Sequence, residues 1–130
     1  VTINYRGKGL KLPKVDADPD KMRAVYQNLI ENAIKYSYKG ATVTVEIRNR
    51  GTEILSSVTD VGIGIPKDEQ KNIFTRFYRA PNAVKMYTEG SGLGLYLVYN
   101  VVKGHGGKVW FESEEGKGSC FLFTIPIPKK

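Results

Sequence analysis

The sequence predicts an α+β fold, a two-layer α/β sandwich whose mixed, mostly antiparallel sheet is backed by about three helices. Three observations carry that expectation. A capped amphipathic helix follows Asp18. Two pairs of apolar runs, at 42–60 and 106–126, read as hairpins. A glycine-rich stretch near residue 90 leads into another helix.

The elements follow in order. VTINY alternates weakly and reads as a first strand; RGKGLKLP carries turn signals, and KLPKVDA reads as a second strand. Asp18-Pro19-Asp20 then supplies a helix start: a capping carboxylate, a proline at the first helical position and an acid in the first turn. Met22, Val25, Tyr26, Leu29, Ile30 and Ala33 recur at helical spacing and carry that helix to about Tyr36, where Tyr38-Lys39-Gly40 ends it. Val43, Val45 and Ile47 alternate with Thr44, Glu46 and Arg48, so one face of this strand is apolar. A turn around Asn49–Gly51 leads into EILSSVTD, which closes at Asp60. KDEQKNIFTRFYRA reads as one or two short helices, and APNAVKMYTEGSG has no period and reads as a loop. Leu93 to Lys103 reads as a helix stopped by Gly104, before the strands GGKVWFES and GSCFLFTIP.

A length of 130 residues suggests one domain. The first residue is Val1, which suggests a piece of a longer chain. The net charge of +7 is scattered without a run of basic residues, so a solvated surface is expected rather than a nucleic-acid footprint. No apolar run is long enough to span a bilayer, and no signal-peptide pattern is present. Cys120 is the only cysteine; it lies in SCFLFTI and reads as a small buried hydrophobe, which fits the cytosol.

Four stretches carry candidate chemistry. In QNLIENAIKYS, the residues Asn28, Glu31, Asn32 and Lys35 fall within roughly 100° on the first helix, away from its apolar side. A solvated face with a Glu31–Lys35 pair is one reading. A binding stripe is the other, since amide oxygens suit a hard cation and lysine suits phosphate. In DVGIGIP, a carboxylate at a strand end precedes Gly62 and Gly64; a plain turn or a ligand-facing acid both fit. In GSGLGLYLV, alternate glycines lead into a helix amino terminus, a natural anion site when other features support it. In IFTRFYRA, Phe74 and Phe77 are flanked by Arg76 and Arg79, which fits core aromatics with surface arginines or a docking segment. The two common nucleotide fingerprints, G-x-x-x-x-G-K-[ST] and G-x-G-x-x-G, are absent.

Taken in this order, the four stretches resemble the asparagine, first glycine, phenylalanine and second glycine boxes of the ATP-binding catalytic domain of sensor histidine kinases. That family lies in the gyrase/Hsp90/histidine kinase/MutL superfamily. The resemblance runs from about Asp18 to Pro126, and HGGKVWFESEEGKGSCFLFTIP is similar to the family's closing strands. It implies a Bergerat-type fold and ATP with Mg²⁺ as ligands. It implies that Asn32 coordinates the Mg²⁺ with Asn28 assisting, and that Lys35 contacts phosphate. Tyr36 would lie near the adenine, and Asp60 would accept its amino group, with Ile65 beside it. Gly62 and Gly64 would make room for the base. Arg79 would reach the γ-phosphate while Phe74 and Phe77 dock a lid spanning about 66–90. Gly90, Ser91, Gly92, Leu93 and Gly94 would bring that lid and its backbone N–H groups to the phosphates. Asn28, Lys35 and Arg79 are the residues implied to act on the transferred group.

Gyrase and Hsp90 relatives carry a water-activating Glu where Asn28 stands. An amide cannot act as a base, so transfer to a protein acceptor is implied rather than hydrolysis, and Glu31, roughly 60° round the helix, is not expected to replace it. Val61 departs from the family, where Asn is frequent. His105, in GHGG, is expected to be structural, so the phosphoacceptor histidine would lie on a separate dimerisation domain of the parent chain, with a response regulator served indirectly. A cytoplasmic, monomeric segment without membrane or nucleic-acid contact is expected, in a parent that can be a membrane-anchored sensor. Two further readings are a serine kinase of the anti-sigma-factor type and a non-catalytic nucleotide-binding interaction module.

Overall fold

The computed structural model describes residues 2–6, 15–75, 78–79, 81–82 and 94–128. Among the described residues, five strands form one sheet in the order β1-β2-β3-β5-β4. They are β1 (Thr2–Arg6), β2 (Thr42–Asn49), β3 (Glu53–Thr59), β4 (Val109–Glu114) and β5 (Gly118–Pro126). β1 runs parallel to β2 and the other pairings are antiparallel, so the sheet is mixed as the sequence implies. Among the described residues, α1 (Pro19–Tyr36) and α2 (Gly94–Gly104) pack over one face, and a 3-10 helix spans Lys67–Asn72. None of the described helices is long and apolar enough to cross a membrane.

The core lies between the helices and that face. Val25, Leu29 and Ala33 of α1 and Val98 and Val102 of α2 meet Val43, Val45, Val58, Phe121, Phe123 and Ile125 of the sheet. On β3 the buried residues alternate, as a one-faced strand requires. Ser56 is buried on that face because its hydroxyl pairs with Tyr26 Oη of α1.

The helix ends follow from local chemistry. Asp18 caps α1 by accepting from Asp20 N–H at 3.0 Å and Lys21 N–H at 3.2 Å, with proline next in the chain. His105 has the structural role expected. Its Nδ1 donates to Val101 O at 2.7 Å and its Nε2 accepts from Asp18 N–H at 3.1 Å, which ties the end of α2 to the start of α1.

Two expectations are corrected. Lys11–Lys14 lie outside the described residues, and Val15–Ala17 form no strand. Gly104 does not stop α2: the helix includes it, and the left-handed residue is Gly106, φ +79°, whose N–H bonds Lys103 O at 3.0 Å. A short helix does fall where expected: the polar stretch KDEQKN forms a 3-10 helix that buries none of its residues. Ile73 and Phe74 then turn inward, and Phe74 meets Tyr99, Phe111 and Phe121 with ring centroids 5.6, 5.7 and 6.3 Å away.

Candidate functional site

The cleft beside α1 draws on five stretches of the chain. One wall is the polar stripe of α1: Asn28, Glu31, Asn32, Lys35 and Tyr36. The floor is Asp60 with Ser119 and Phe121 of β5. Ile63, Gly64 and Ile65 form the second wall, and Ile73, Tyr78, Arg79 and Asn82 the third. Gly94 and Leu95 close the end at the start of α2. The stripe therefore faces a cleft, and the plain solvated-face reading is set aside.

Asn28 is oriented by its own helix. Its Nδ2 donates to Ala24 O at 2.8 Å, which leaves Oδ1 as the outward acceptor. A Cβ at Gly94 would stand 2.9 Å from that Oδ1, so a glycine lets the start of α2 approach Asn28. Glu31 also borders the cleft, with Gln27 Nε2 donating to it at 3.0 Å. Tyr36 Oη accepts from Arg79 Nη2 at 2.9 Å, a bond that links α1 to the third wall.

Asp60 follows β3 and is buried, 7 % exposed. Its N–H bonds Ser119 O at 2.8 Å and its Oδ1 accepts from Ser119 N–H at 3.2 Å. Burial raises its pKa to about 6, and the Ser119 N–H offsets part of that rise. A carboxylate buried beside an open cleft suits a ligand that donates a hydrogen bond.

The two glycines after Asp60 serve the fold first. A Cβ at Gly62 would lie 2.0 Å from Tyr36 O, and Gly62 does not line the cleft. Gly62 packs closely against the end of α1, where Ile63 N–H bonds Tyr36 O at 3.1 Å. Gly64 lines the cleft but is held by its φ of +65° and by Glu114 O, which would lie 2.1 Å from a Cβ at that residue. Ile65 is buried in the wall and its N–H donates to Ser113 Oγ at 2.8 Å. Ser113 Oγ in turn donates to Gly118 O at 3.0 Å and pairs with Ser119 Oγ at 2.7 Å.

Of the residues expected at the site, Asn28, Asn32, Lys35, Tyr36, Asp60, Gly64, Ile65, Arg79 and Gly94 line this one cleft. Phe74 does not; it belongs to the aromatic cluster and anchors the segment that carries the third wall. Phe77, Gly90, Ser91, Gly92 and Leu93 lie outside the described residues. Sequence reasoning missed Ile63, Ile73, Tyr78, Asn82, Leu95, Ser119 and Phe121. Ser119 gave no local signal, because its partner Asp60 is 59 positions away.

Among the described residues no cluster of three or more His, Cys, Asp or Glu side chains could hold a metal ion. The amide donors of Asn28 and Asn32, one helical turn apart on the cleft wall, fit a hard cation that shares its remaining ligands with phosphate oxygens and water.

Fold and cleft together define a nucleotide-binding domain of the histidine kinase class. The chain belongs to the family described as histidine kinase-, DNA gyrase B- and HSP90-like ATPase, whose profile matches residues 17–129. The sensor histidine kinase WalK of Bacillus subtilis (strain 168) is 46% identical over 118 residues, covering 89% of this chain and 19% of that protein. The catalytic domain of histidine kinase ThkA superposes with a TM-score of 0.80 at 28% identity, over 96% of this chain and 79% of that one. Full-length ShkA, solved in complex with AMPPNP, superposes with a TM-score of 0.79 at 28% identity, over 99% of this chain and 26% of that one. The chain thus spans under a third of the curated relatives it matches.

Proposed function

We propose that this chain binds ATP with Mg²⁺ and presents the γ-phosphate to a histidine on a separate helical dimerisation domain of a longer parent chain. The observation that carries the reading is the buried Asp60 carboxylate across the cleft from the amide-and-lysine stripe of α1. One end suits a base that donates a hydrogen bond; the other suits phosphate with a hard cation.

Asp60 accepts from the adenine amino group, and a guanine, which has an oxo group there, meets a second acceptor instead. Asn32, with Asn28, holds the Mg²⁺, which supplies charge neutralisation at the phosphates. Lys35 and Arg79 take phosphate oxygens, and Tyr36 steadies Arg79 through its hydroxyl. Catalysis on this reading is positioning and electrostatics. Asn28 cannot abstract a proton from water, so transfer is favoured over hydrolysis.

His105 is committed to Val101 and Asp18, which supports an acceptor elsewhere. The dimerisation and histidine-phosphotransfer domain of the parent is the direct partner, a response regulator the indirect one, and the cytoplasm the compartment. Incubated with ATP and Mg²⁺, the isolated chain is expected to bind nucleotide and to acquire no acid-labile phosphate. Labelling of the isolated chain would contradict the reading of His105, and absence of ATP binding would contradict the whole.

A further inference from the structure

Two polar atoms in the third wall are buried without a hydrogen-bond partner among the described residues: Tyr78 Oη and Asn82 Oδ1. Both residues line the cleft. A tyrosine hydroxyl donates or accepts, so it selects little by itself. Asn82 is more definite. Its Nδ2 donates to Gly64 O at 3.0 Å, which orients the amide. Turning it over would set Oδ1 against the Gly64 carbonyl, acceptor against acceptor. Oδ1 is therefore a fixed, buried acceptor that asks for a donor, and an unmet buried acceptor is costly.

If ATP is the ligand, the donors it can offer are few. The triphosphate offers acceptors. The nucleoside half offers the amino group of the base and the two ribose hydroxyls. We propose that Asn82 is a specificity-determining residue whose Oδ1 accepts a hydrogen bond from one of these nucleoside donors. This rests on the ATP reading above. It also gives Gly64 a second task, because its carbonyl aims the asparagine that meets the ligand.

The test is calorimetric titration of the wild-type chain and Asn82→Ala with four magnesium-loaded nucleotides. These are ATP, purine riboside triphosphate without the amino group, 2′-deoxy-ATP and 3′-deoxy-ATP. Asn82→Ala is expected to weaken ATP by about 3- to 10-fold, the size of one neutral hydrogen bond. That loss is expected to vanish for the one analogue that lacks the partnered donor, which identifies the group. An equal loss for all four nucleotides would overturn the proposal and leave Asn82 only a clip on Gly64; no loss for any would overturn it too. Failure of the wild-type chain to bind ATP would instead remove the underlying reading, and the proposal with it.

Discussion

The wall after Asp60 and the wall after Ile73 differ in how far the protein satisfies them by itself. In the first, Asp60 N–H bonds Ser119 O, Ser119 N–H bonds the Asp60 carboxylate, and Ile63 N–H reaches Tyr36 O. Gly116 N–H reaches Ile63 O at 2.7 Å, and Ile65 N–H reaches Ser113 Oγ. In the second, Arg79 bonds Tyr36, Asn82 bonds Gly64, and two buried polar atoms have no partner among the described residues. The contrast teaches a division of labour. On the proposed function, the wall beside Asp60 is preorganised by backbone packing, while the other would be completed by its ligand.

The largest expected effect lies in the preorganised wall. Gly62→Ala forces a Cβ to within 2.0 Å of Tyr36 O, so the end of α1 or the loop must move. Urea denaturation is expected to show a loss of about 3 kcal/mol or more. Asn82→Ala, in the other wall, is expected to stay within about 1 kcal/mol of wild type. Equal losses in the two variants would erase the contrast between the walls.

Next in size is the titration of Asp60. Its folded pKa lies near 6, above its ordinary value of 3.8, because burial disfavours the charge. The folded chain therefore holds the proton more tightly, and this group's contribution to stability falls as pH rises from about 4 to 6. Asp60→Asn is expected to melt higher than wild type above pH 6, with the gap closing between pH 6 and pH 4. Wild-type affinity for ATP is expected to move the opposite way, falling as pH drops through about 6 and the acceptor is protonated. Affinity flat from pH 8 to pH 5 would separate Asp60 from nucleotide recognition.

The smallest expected effect is that of His105→Ala. It removes bonds to Asp18 and Val101 and should cost roughly 1 kcal/mol by thermal or urea melting, without altering ATP affinity. A change in affinity larger than about twofold would mean that the junction of the two helices transmits to the cleft.

The same contrast marks what was legible from the amino acids. α1 was readable end to end, because Asp18-Pro19 and the spacing of Val25, Leu29 and Ala33 act locally. The two hairpins were readable from alternation, and the asparagine stripe and Asp60 from their order along the chain. Gly62 and Gly64 were readable as special, but their close approaches to the carbonyls of Tyr36 and Glu114 were not. Ser113 and Ser119 act across a hairpin on a loop some 50 positions earlier, and no local pattern announces that. Tyr78 and Asn82 fall in a stretch without periodicity, so their place in the wall emerges only from tertiary packing.

The central claim, that Asp60 and the α1 amides share one magnesium-loaded ATP, is met most directly by calorimetric titration of wild type, Asp60→Ala and Asn32→Ala with and without Mg²⁺. The account predicts a loss of about 10- to 150-fold for Asp60→Ala, and for Asn32→Ala an affinity in Mg²⁺ close to the magnesium-free value. Wild-type affinity in both variants would contradict it.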